Sequence, residues 1–536
     1  MSGAFLLAIP GLQPSPTPSA TPFGTGVIGF SFLLSVMIWG PVLVALVIAL
    51  VPNPRRRLDR FMMLTAFWTN IALLLLALIA YSQFSIVAGG VQFEERQPWL
   101  AAIGAGYHLG VDGISMTVLL LSCFVGVVAV VASANIRERV REYYCLLLLT
   151  EAAINGVIVA RDFFVLMLFW AAAALPLALL AAGWAEQRRG AVSARFLAHW
   201  GVGSAALLAA GLMLYVASGG AGFDFDLLLK ASPATRPQLA VGIAVIVAAA
   251  SRLPLVPLHG WVRDLYAEAP AGPALLVAGA ASRLGAYLLL RLLVQSEHDA
   301  ARLLAPFLAV LGGVTVAYGA LAALRRDDLR RVGAYAALIP GGITTVGVAA
   351  LTPLALDGTV FGILAGGLAA ALAVGACATV AARAHTRNLA LLGGLGGRIP
   401  ILGWLLVLAA LSIVGVPGLA TFTSALMVLL GSFRSQPAGA FIAAAGLVLA
   451  AVAIGALLYR VLFRAPNPDA PGASEASLGE VWYLGLLAGA LIYFGVVPGG
   501  PKLAGVPLFD PGIVNVFGAS AADAAAPYVP SPSPSP

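Results

Sequence analysis

Residues 237–261 read PQLAVGIAVIVAAASRLPLVPLHGW, an apolar run that ends in an arginine, two prolines and a histidine. Apolar runs of this length are typical of membrane-spanning helices. Each proline removes a backbone donor, and hydrocarbon tolerates such an opening only where protein or water satisfies the freed groups. The stretch therefore predicts a broken membrane helix with Arg252 at its break.

The composition extends this interpretation to most of the chain. Of 536 residues, 61% are apolar and 10% are charged, and the mean hydropathy is +0.97. An ordinary soluble domain carries about 25% charged residues, so this chain has too little polar surface to face water on all sides. A soluble enzyme, a nucleic-acid-binding protein and a secreted disulfide scaffold are therefore excluded.

Charged and Pro/Gly-rich stretches divide the chain into fourteen candidate helices, and the predicted fold is an all-α polytopic membrane protein. Helices 1 to 14 are predicted at 27–51, 61–88, 114–134, 143–160, 162–183, 196–218, 237–261, 272–294, 301–324, 333–353, 358–381, 400–432, 437–463 and 478–498. The N-terminus 1–26 and the low-complexity tail 499–536 are rich in Pro and Ser and are expected to be extended. Residues 4–9 are apolar but lack the basic stretch of a signal peptide, so none is predicted.

Two predicted helices are interrupted, and they lie five helices apart. Helix 7 breaks at 252–261, and helix 12 breaks at VGVPGL, residues 414–419. Matched broken helices in two five-helix units are typical of inverted-repeat transporters. The predicted organisation is helices 1–3 at 27–134, a first repeat of helices 4–8 at 143–294, a second repeat of helices 9–13 at 301–463, and helix 14 at 478–498.

The basic residues follow the parity of the loops. Of the 30 Lys and Arg residues, 20 fall in loops after odd-numbered helices and 8 on the opposite side, while Arg252 and Arg283 fall within spans. Because cytoplasmic loops carry the excess of basic residues, both termini are predicted to lie outside the cytoplasm.

Ionisable residues inside the predicted spans are candidates for function, because a charge at the bilayer centre is costly. Arg252, Arg283, Glu151 and His259 are the candidates for a proton path. We expect each arginine to reach carbonyls freed near Pro254 and Pro257, or water, with Glu151 as the nearest acid.

Simpler roles compete with function at some of these positions. A structural role for His259 is as compatible with the sequence as a role in a proton path. Arg161 and Asp162, at the start of helix 5, are more simply interpreted as an interfacial pair, and His199 as a packed polar residue.

The sequence offers no site for a redox cofactor or a metal. Cys123, Cys145 and Cys377 stand alone in apolar runs, so neither an iron–sulfur cluster nor a zinc site has a ligand set. The glycines at 393–397 follow no strand, which argues against a dinucleotide fingerprint.

Five ordered motifs carry a resemblance to a known family. They are LGVDGIS at 109–115, PLVPLHGW at 254–261 with EAP at 268–270, the 318–335 segment with LRRDDLRR at 324–331, TRNL at 386–389 with GGL at 393–395, and GVPG at 415–418. Over residues 107–500 the chain resembles the M-type, antiporter-like membrane subunit of respiratory NADH:quinone oxidoreductase (complex I), a family related to Mrp-type cation/proton antiporter subunits.

The resemblance implies a membrane-arm subunit in a proton-translocating assembly coupled to respiratory electron transport. Other membrane subunits are its expected partners in a prokaryotic inner (plasma) membrane. FMN and iron–sulfur clusters are expected on partner subunits of the assembly and none on this chain, which would itself carry no catalytic site.

The chain departs from the family where the resemblance implies proton-carrying residues. The glutamate of helix 5 is replaced by Ala171, the histidine of helix 11 by Gly366 and the glutamate of helix 12 by Ala425. Arginines, Arg252 and Arg283, replace the family's lysines of helices 7 and 8. Since an arginine keeps its proton at physiological pH, the proton relay of this chain is expected to be impaired.

Three alternatives share the same motifs. They are a subunit of an Mrp-type cation/proton antiporter, a membrane subunit of a hydrogenase-type or formate-linked complex, and a structural spacer within complex I. The sequence of one chain does not separate them, because shared ancestry carries the motifs to all of them.

Overall fold

The computed structural model describes residues 32–53, 56–85, 89–220, 222–230, 235–468, 470–498, 502–503, 506–507 and 513–528. The predictions for 1–26 and for residues 4–9 lie outside these residues.

The prediction of an all-α, multi-pass membrane protein is confirmed. Among the described residues, twelve helices are long and apolar enough to cross a membrane. They correspond to predicted helices 1–6, 8–11, 13 and 14: Leu33–Leu50, Asp59–Gln83, Gly113–Ala132, Val140–Val159, Phe163–Trp184, Arg189–Ala217, Ala271–Val294, His298–Leu324, Leu329–Ala350, Pro353–Arg383, Pro437–Phe463 and Leu478–Val496.

Predicted helix 7 ends at its predicted break, and predicted helix 12 is divided at its break into two shorter apolar helices. Helix 7 runs from Thr235 to Arg252, and turns follow at 253–261 before the short helix Val262–Glu268. Helix 12 consists of Pro400–Val414 and Ala420–Ser432. Gly415 ends its first half with φ +75°, a left-handed conformation that glycine adopts without steric cost.

Four further helices are irregular, which the sequence did not predict. Helix 5 is interrupted at Ala173 and helix 10 at Ala337. Helices 8 and 13 end in π-helical turns, Leu289–Val294 and Tyr459–Phe463. Such turns are common where helices carry function.

Helices 5 and 10 also begin in the same way. Asp162 accepts hydrogen bonds from the backbone of Phe164 and Val165, and Asp328 does the same for Arg330 and Arg331. Each aspartate satisfies backbone donors that the first helical turn leaves free. Each also forms an isolated antiparallel bridge, Asp162 with Asp224 and Asp328 with Asn388.

Segments between and after the helices hold further structure. Between helices 2 and 3, strands β1 (Gln92–Leu100) and β2 (Ala105–Val111) form an antiparallel hairpin. Between helices 6 and 7, Phe225–Lys230 is a short helix. The expectation of an extended tail over 499–536 is wrong for Ile513–Ala525, which is helical and packs on helices 3 and 11. Burial against those helices supplies the stabilisation that a short isolated helix lacks in water.

The core lies around helices 8, 10 and 11, whose most apolar windows are wholly buried. Helices 1, 2, 6, 13 and 14 are largely exposed and carry large apolar side chains on their outer faces, such as Leu43, Leu212, Val448 and Trp482. Apolar side chains suit an outer face that meets lipid. Arg252 on helix 7 and Arg283 on helix 8 are buried inside this bundle.

Candidate functional site

Arg252, the last residue of helix 7, lies between two indole rings and is fully buried. Its guanidinium carbon is 3.9 Å from the ring centroid of Trp170, on helix 5, and 4.0 Å from that of Trp200, on helix 6. Its Nη2 donates to the backbone carbonyl of Trp170, close to the interruption of helix 5 at Ala173. This cation thus lies against two aromatic π systems, which attract it.

The surroundings fix Arg252 in this position. Trp261, beyond the break of helix 7, donates its indole N–H to the carbonyl of Ser251 at 2.9 Å. The rings of Trp200 and Trp261 meet edge to face at 5.7 Å between centroids. The expectation that Arg252 reaches a carbonyl is met, but that carbonyl comes from helix 5 and not from the break at Pro254 and Pro257.

Arg283 lies in a single 3₁₀ turn within helix 8 and is 1% exposed. Its Nε donates to the hydroxyl of Ser282 at 3.2 Å. Neither Nη1 nor Nη2 has a hydrogen-bond partner among the described residues. Both arginines have nitrogens without a partner among the described residues, Nε and Nη1 of Arg252 and Nη1 and Nη2 of Arg283, but Arg252 is also held by two aromatic rings and a carbonyl.

Glu151 lies apart from both arginines. On helix 4 it is buried, and its Oε1 accepts from the hydroxyl of Ser122 at 3.2 Å. Ser122 also donates to the side chain of Asn155 at 2.8 Å, so this polar group lies between helices 3 and 4. Within the described residues no ion pair joins Glu151 to Arg252 or Arg283, and the expectation that it serves as their acid is wrong.

His259 lies on the turn beyond the break of helix 7 and is half-buried. Its ring meets the edge of Tyr318, on helix 9, at 4.6 Å between centroids. Its Nδ1 has no hydrogen-bond partner among the described residues. The ring contact suits the structural role, and the free nitrogen leaves a role in proton transfer open. Nδ1 of His199 donates to the carbonyl of Arg195 at 2.8 Å, as a packed polar residue does.

The structure brings together two of the three positions at which the chain departs from the family pattern. Gly366 of helix 11 and Ala425 of helix 12 line the same cavity, while Ala171 is exposed on the outside of helix 5. A Cβ on Gly366 would lie 3.6 Å from Nη1 of Arg283. Helices 10, 11, 12 and 13 therefore meet at this cavity, and Arg283 of helix 8 is not among its lining residues.

Arg161 and Asp162 do not form the expected interfacial pair. Arg161 pairs with Asp226 at 3.3 Å, whereas Asp162 caps helix 5 and accepts from the backbone of Gly106 at 3.0 Å. Burial raises the pKa of Asp162. The expectation is wrong because the first turn of helix 5 and the hairpin strand β2 both direct backbone donors at Asp162.

A buried ion pair was missed by the sequence reasoning. Asp112, the N-cap of helix 3, accepts hydrogen bonds from both outer nitrogens of Arg291. Arg291 lies in the π-helical turn of helix 8. Arg291 also donates to Ser115 at 2.6 Å. Asp112 belongs to the LGVDGIS motif, which was the available signal, but its partner is 179 residues away in sequence.

In the part of the chain that the structure describes, no three His, Cys, Asp or Glu side chains lie where they could hold a metal ion. The cysteines are separately buried. The chemistry that this arrangement supports is charge placement and hydrogen bonding inside a membrane bundle.

Comparison with known proteins assigns the chain to a family. Residues 160–452 match the sequence model described as "NADH:quinone oxidoreductase/Mrp antiporter, TM". The chain is 32% identical over 447 residues to NAD(P)H-quinone oxidoreductase chain 4 1 of Synechococcus elongatus, covering 82% of each chain. It is 27% identical over 471 residues to NADH-quinone oxidoreductase subunit M of Rickettsia prowazekii, covering 87% of this chain and 95% of that one.

A solved structure shares the fold. A chain of respiratory complex I from Thermus thermophilus with bound NADH superposes with a TM-score of 0.80 at 23% identity, over 91% of this chain and 99% of that chain. The family match and the relative at 32% identity establish the assignment. The chain belongs to the NADH:quinone oxidoreductase/Mrp antiporter family of membrane subunits, as an M-type antiporter-like member.

Proposed function

We propose that this chain is a membrane-arm subunit of a complex I-type NADH:quinone oxidoreductase, with other membrane subunits as partners. The observation that carries this proposal is its similarity, over four-fifths of its length, to chain 4 and subunit M of quinone oxidoreductases. Electron transfer would take place on partner subunits that hold FMN and iron–sulfur clusters. Both relatives are named as a chain or subunit of an NAD(P)H- or NADH-quinone oxidoreductase, which favours this role over those of an Mrp-type antiporter or a hydrogenase subunit.

We further propose fourteen crossings, with helices 4–8 and 9–13 as inverted repeats. Irregularities paired at five-helix spacing support this arrangement. Helices 5 and 10 share an aspartate cap and a mid-helix interruption, helices 7 and 12 share a break, and helices 8 and 13 share a π-helical end. In this scheme the repeats occupy 143–294 and 301–463, flanked by helices 1–3 at 27–134 and helix 14 at 478–498.

The proposed location is a prokaryotic inner (plasma) membrane, with both termini outside the cytoplasm. The distribution of basic residues by loop parity supports this orientation. An odd number of crossings would place the two termini on opposite sides, so the orientation and the count depend on each other.

The proton relay of this subunit is proposed to be impaired. A relay needs groups that gain and lose a proton near neutral pH. Arg252 is held as a fixed cation by Trp170 and Trp200, and Ala171, Gly366 and Ala425 carry no titrating group. Of the path candidates Arg252, Arg283, His259 and Glu151, only the last two can exchange protons, and they lie in separate parts of the bundle.

Affinity purification tests the role in complex I. The full chain, tagged and solubilised from its native membrane in mild detergent, is expected to carry NADH:quinone reductase activity through the purification. A membrane protein from the same cells, tagged in the same way, serves as the control. Recovery of the intact chain without NADH oxidation, or with hydrogenase subunits, would contradict the proposal.

A further inference from the structure

The ends of three helices enclose a cavity on the membrane face that carries most of the basic residues. Helix 1 ends there at Leu50, helix 4 begins at Val140 and helix 5 ends at Trp184. The cavity between them has a volume of about 450 Å³. A space of this size suits a small organic group and is far larger than one water molecule.

The walls of the cavity are apolar and continue onto the outer surface of the bundle. Leu146 of helix 4, Leu179 of helix 5 and Ala49 of helix 1 line it. One helical turn closer to the membrane centre, Leu46 and Leu175 lie on the same helix faces as Ala49 and Leu179 and are exposed. An apolar track therefore leads from the cavity along the surface that meets lipid.

The rim of the cavity holds an arginine against an indole ring. The guanidinium carbon of Arg139 is 4.8 Å from the ring centroid of Trp184, and both residues line the cavity. The indole N–H donates to the carbonyl of Glu138 at 2.8 Å, which fixes the ring. Gly183 leaves space beside the guanidinium, since a Cβ at that position would lie 3.6 Å from Nη1 of Arg139.

The charged residues that line the cavity are two arginines and one glutamate, a net charge of +1. Glu142 lies 3.7 Å from Nη2 of Arg141, and solvent screens this pair because both side chains are 40% exposed. Glu138 and Asp59 line a neighbouring cavity and not this one. Among the described residues Arg139 has no carboxylate within 4.0 Å and no hydrogen-bond partner for its guanidinium. Its N–H groups are therefore available to an anion.

This combination of charge, ring and wall fits a phospholipid. A guanidinium binds phosphate oxygens through paired N–H donors. Tryptophan is enriched at the level of lipid headgroups, and basic cavities between membrane helices recognise anionic headgroups. Free phosphate would use the arginine but not the apolar walls, and a zwitterionic headgroup would bring a second cation close to Arg139.

We propose that this cavity binds the headgroup of one anionic phospholipid, with Arg139 on the phosphate and an acyl chain along Leu46 and Leu175. The lipid fills the gap between helices 1, 4 and 5 at the membrane surface. It joins helix 1, which lies outside the two proposed repeats, to the first of them.

Native mass spectrometry of the full chain tests the proposal. The chain is purified in detergent, stripped of native lipid, and checked for its fold by circular dichroism and gel filtration. It is then titrated with phosphatidylglycerol, with phosphatidylcholine of the same acyl chains, or with inorganic phosphate alone. The native chain is expected to retain one phosphatidylglycerol at least about tenfold more tightly than phosphatidylcholine, and to retain no inorganic phosphate.

Two variants place the lipid in this cavity. Arg139→Gln removes the charge at the rim and is expected to lower the affinity for phosphatidylglycerol by about tenfold while leaving that for phosphatidylcholine unchanged. Ala182→Glu, at an exposed position of the wall, brings an acid towards the phosphate and is expected to act in the same direction. It decides the question if Arg139→Gln does not fold.

Arg188→Gln is the matched control. Arg188 is exposed, precedes helix 6 with φ +50° as Arg139 precedes helix 4 with φ +49°, and is not among the residues that line the cavity. The variant loses the same charge as Arg139→Gln and is expected to bind phosphatidylglycerol as the native chain does.

Three results would overturn the proposal. A native chain that retains no phosphatidylglycerol, or retains phosphatidylcholine equally well, would show that the cavity selects no anionic headgroup. Phosphatidylglycerol binding that survives both Arg139→Gln and Ala182→Glu would place the lipid elsewhere on the chain. Inorganic phosphate bound as tightly as the lipid would mean that Arg139 takes a free anion without the apolar walls. The titration requires no electron transfer, so its failure would leave the proposed role in complex I untouched.

Discussion

The carboxylate of Asp112 is held by both outer nitrogens of the Arg291 guanidinium. The pair joins the start of helix 3 to the end of helix 8, and both side chains are almost fully buried. Ser115 completes the group, because its backbone and hydroxyl donate to the same carboxylate. The ion pair thus joins helix 3 directly to the repeat that holds Arg252 and Arg283.

The first prediction concerns the pH dependence of stability at Asp112. Burial alone would raise the pKa of this carboxyl, but the charge and hydrogen bonds of Arg291 outweigh burial and lower the pKa from 3.8 to about 2. The carboxylate therefore stabilises the fold above pH about 4, and this contribution is lost as the pH falls towards 2. The shift corresponds to about 2 kcal/mol.

Asp112→Asn isolates this contribution. At neutral pH the variant is expected to be less stable by about 3–5 kcal/mol, because it leaves a buried arginine unpaired. The difference in melting temperature between the native chain and the variant, measured in detergent, should shrink as the pH falls below about 4. Asp523→Asn, at an exposed position, is the control. A difference that stays constant from pH 6 to pH 3 would contradict the assigned role.

The second prediction tests close packing between helices 9 and 13. A Cβ on Gly439 would lie 2.5 Å from the backbone carbonyl carbon of Ala309, whereas one on Gly455, in the same helix, meets no atom within 4 Å. Gly439→Ala is expected to destabilise the chain by about 1–3 kcal/mol. Gly455→Ala should be neutral or stabilising by up to about 1 kcal/mol, since alanine favours the helix.

Thermal unfolding of both variants, followed by gel filtration after heating, measures the effect. Equal melting temperatures for Gly439→Ala and Gly455→Ala would show that the two helices can separate without cost.

The third prediction concerns topology. Arg139 precedes helix 4 and Asp523 follows helix 14, so the fourteen-helix arrangement places eleven crossings between them. Cysteines at these two exposed positions should react with a membrane-impermeant maleimide from opposite sides. The native cysteines are buried and are expected to stay unlabelled.

The broken helix 12 needs its own pair of sites. Arg398 and Arg434 flank it and are both exposed. Labelling of Arg398→Cys and Arg434→Cys from the same side would show that helix 12 enters and leaves on one face. The crossing count and the orientation of the termini would then both be wrong.

Much of the fold could be predicted because its signals are local. Long apolar runs mark helices, and the prolines after Arg252 and the glycines at 415 and 418 mark breaks whatever surrounds them. The interruption at Ala173 was missed although its signal is local, because Pro176 has no N–H to donate to the carbonyl of Ala172, and Pro340 stands in the same relation to Ala336 in helix 10. The helix Ile513–Ala525 was missed because it depends on the helices beneath it.

In the candidate site, too, local features could be predicted from the sequence and contacts between helices could not. The residue types at 252, 283, 366 and 425 are evident in the sequence, and so is the expectation that arginine carries no mobile proton. The contacts of Arg252 with Trp170 and Trp200 and the cavity lined by Gly366 and Ala425 depend on which helices meet. Glu151 was assigned to the wrong neighbours because membership of the same repeat does not fix the direction of a side chain.

The last prediction is that the native subunit contributes no protons through a lysine relay. The triple variant Ala171→Glu, Arg252→Lys and Arg283→Lys restores an acid and two groups that can lose a proton when buried. A lysine at 252 also lacks the planar guanidinium that stacks between Trp170 and Trp200. The variant complex, in vesicles, is expected to move more protons per electron pair than the native complex at the same rate of NADH oxidation.

Two matched variants separate charge from shape. Ala171→Gln with the same two lysines adds a side chain of the same size without an acid, and it should leave the proton ratio near the native value. Glu151→Gln and His259→Ala in the native background should also leave it unchanged, since these residues lie in separate parts of the bundle. If either of them lowers the ratio, protons already cross this subunit by a water path between those two residues, and the arginines steer that path instead of closing it.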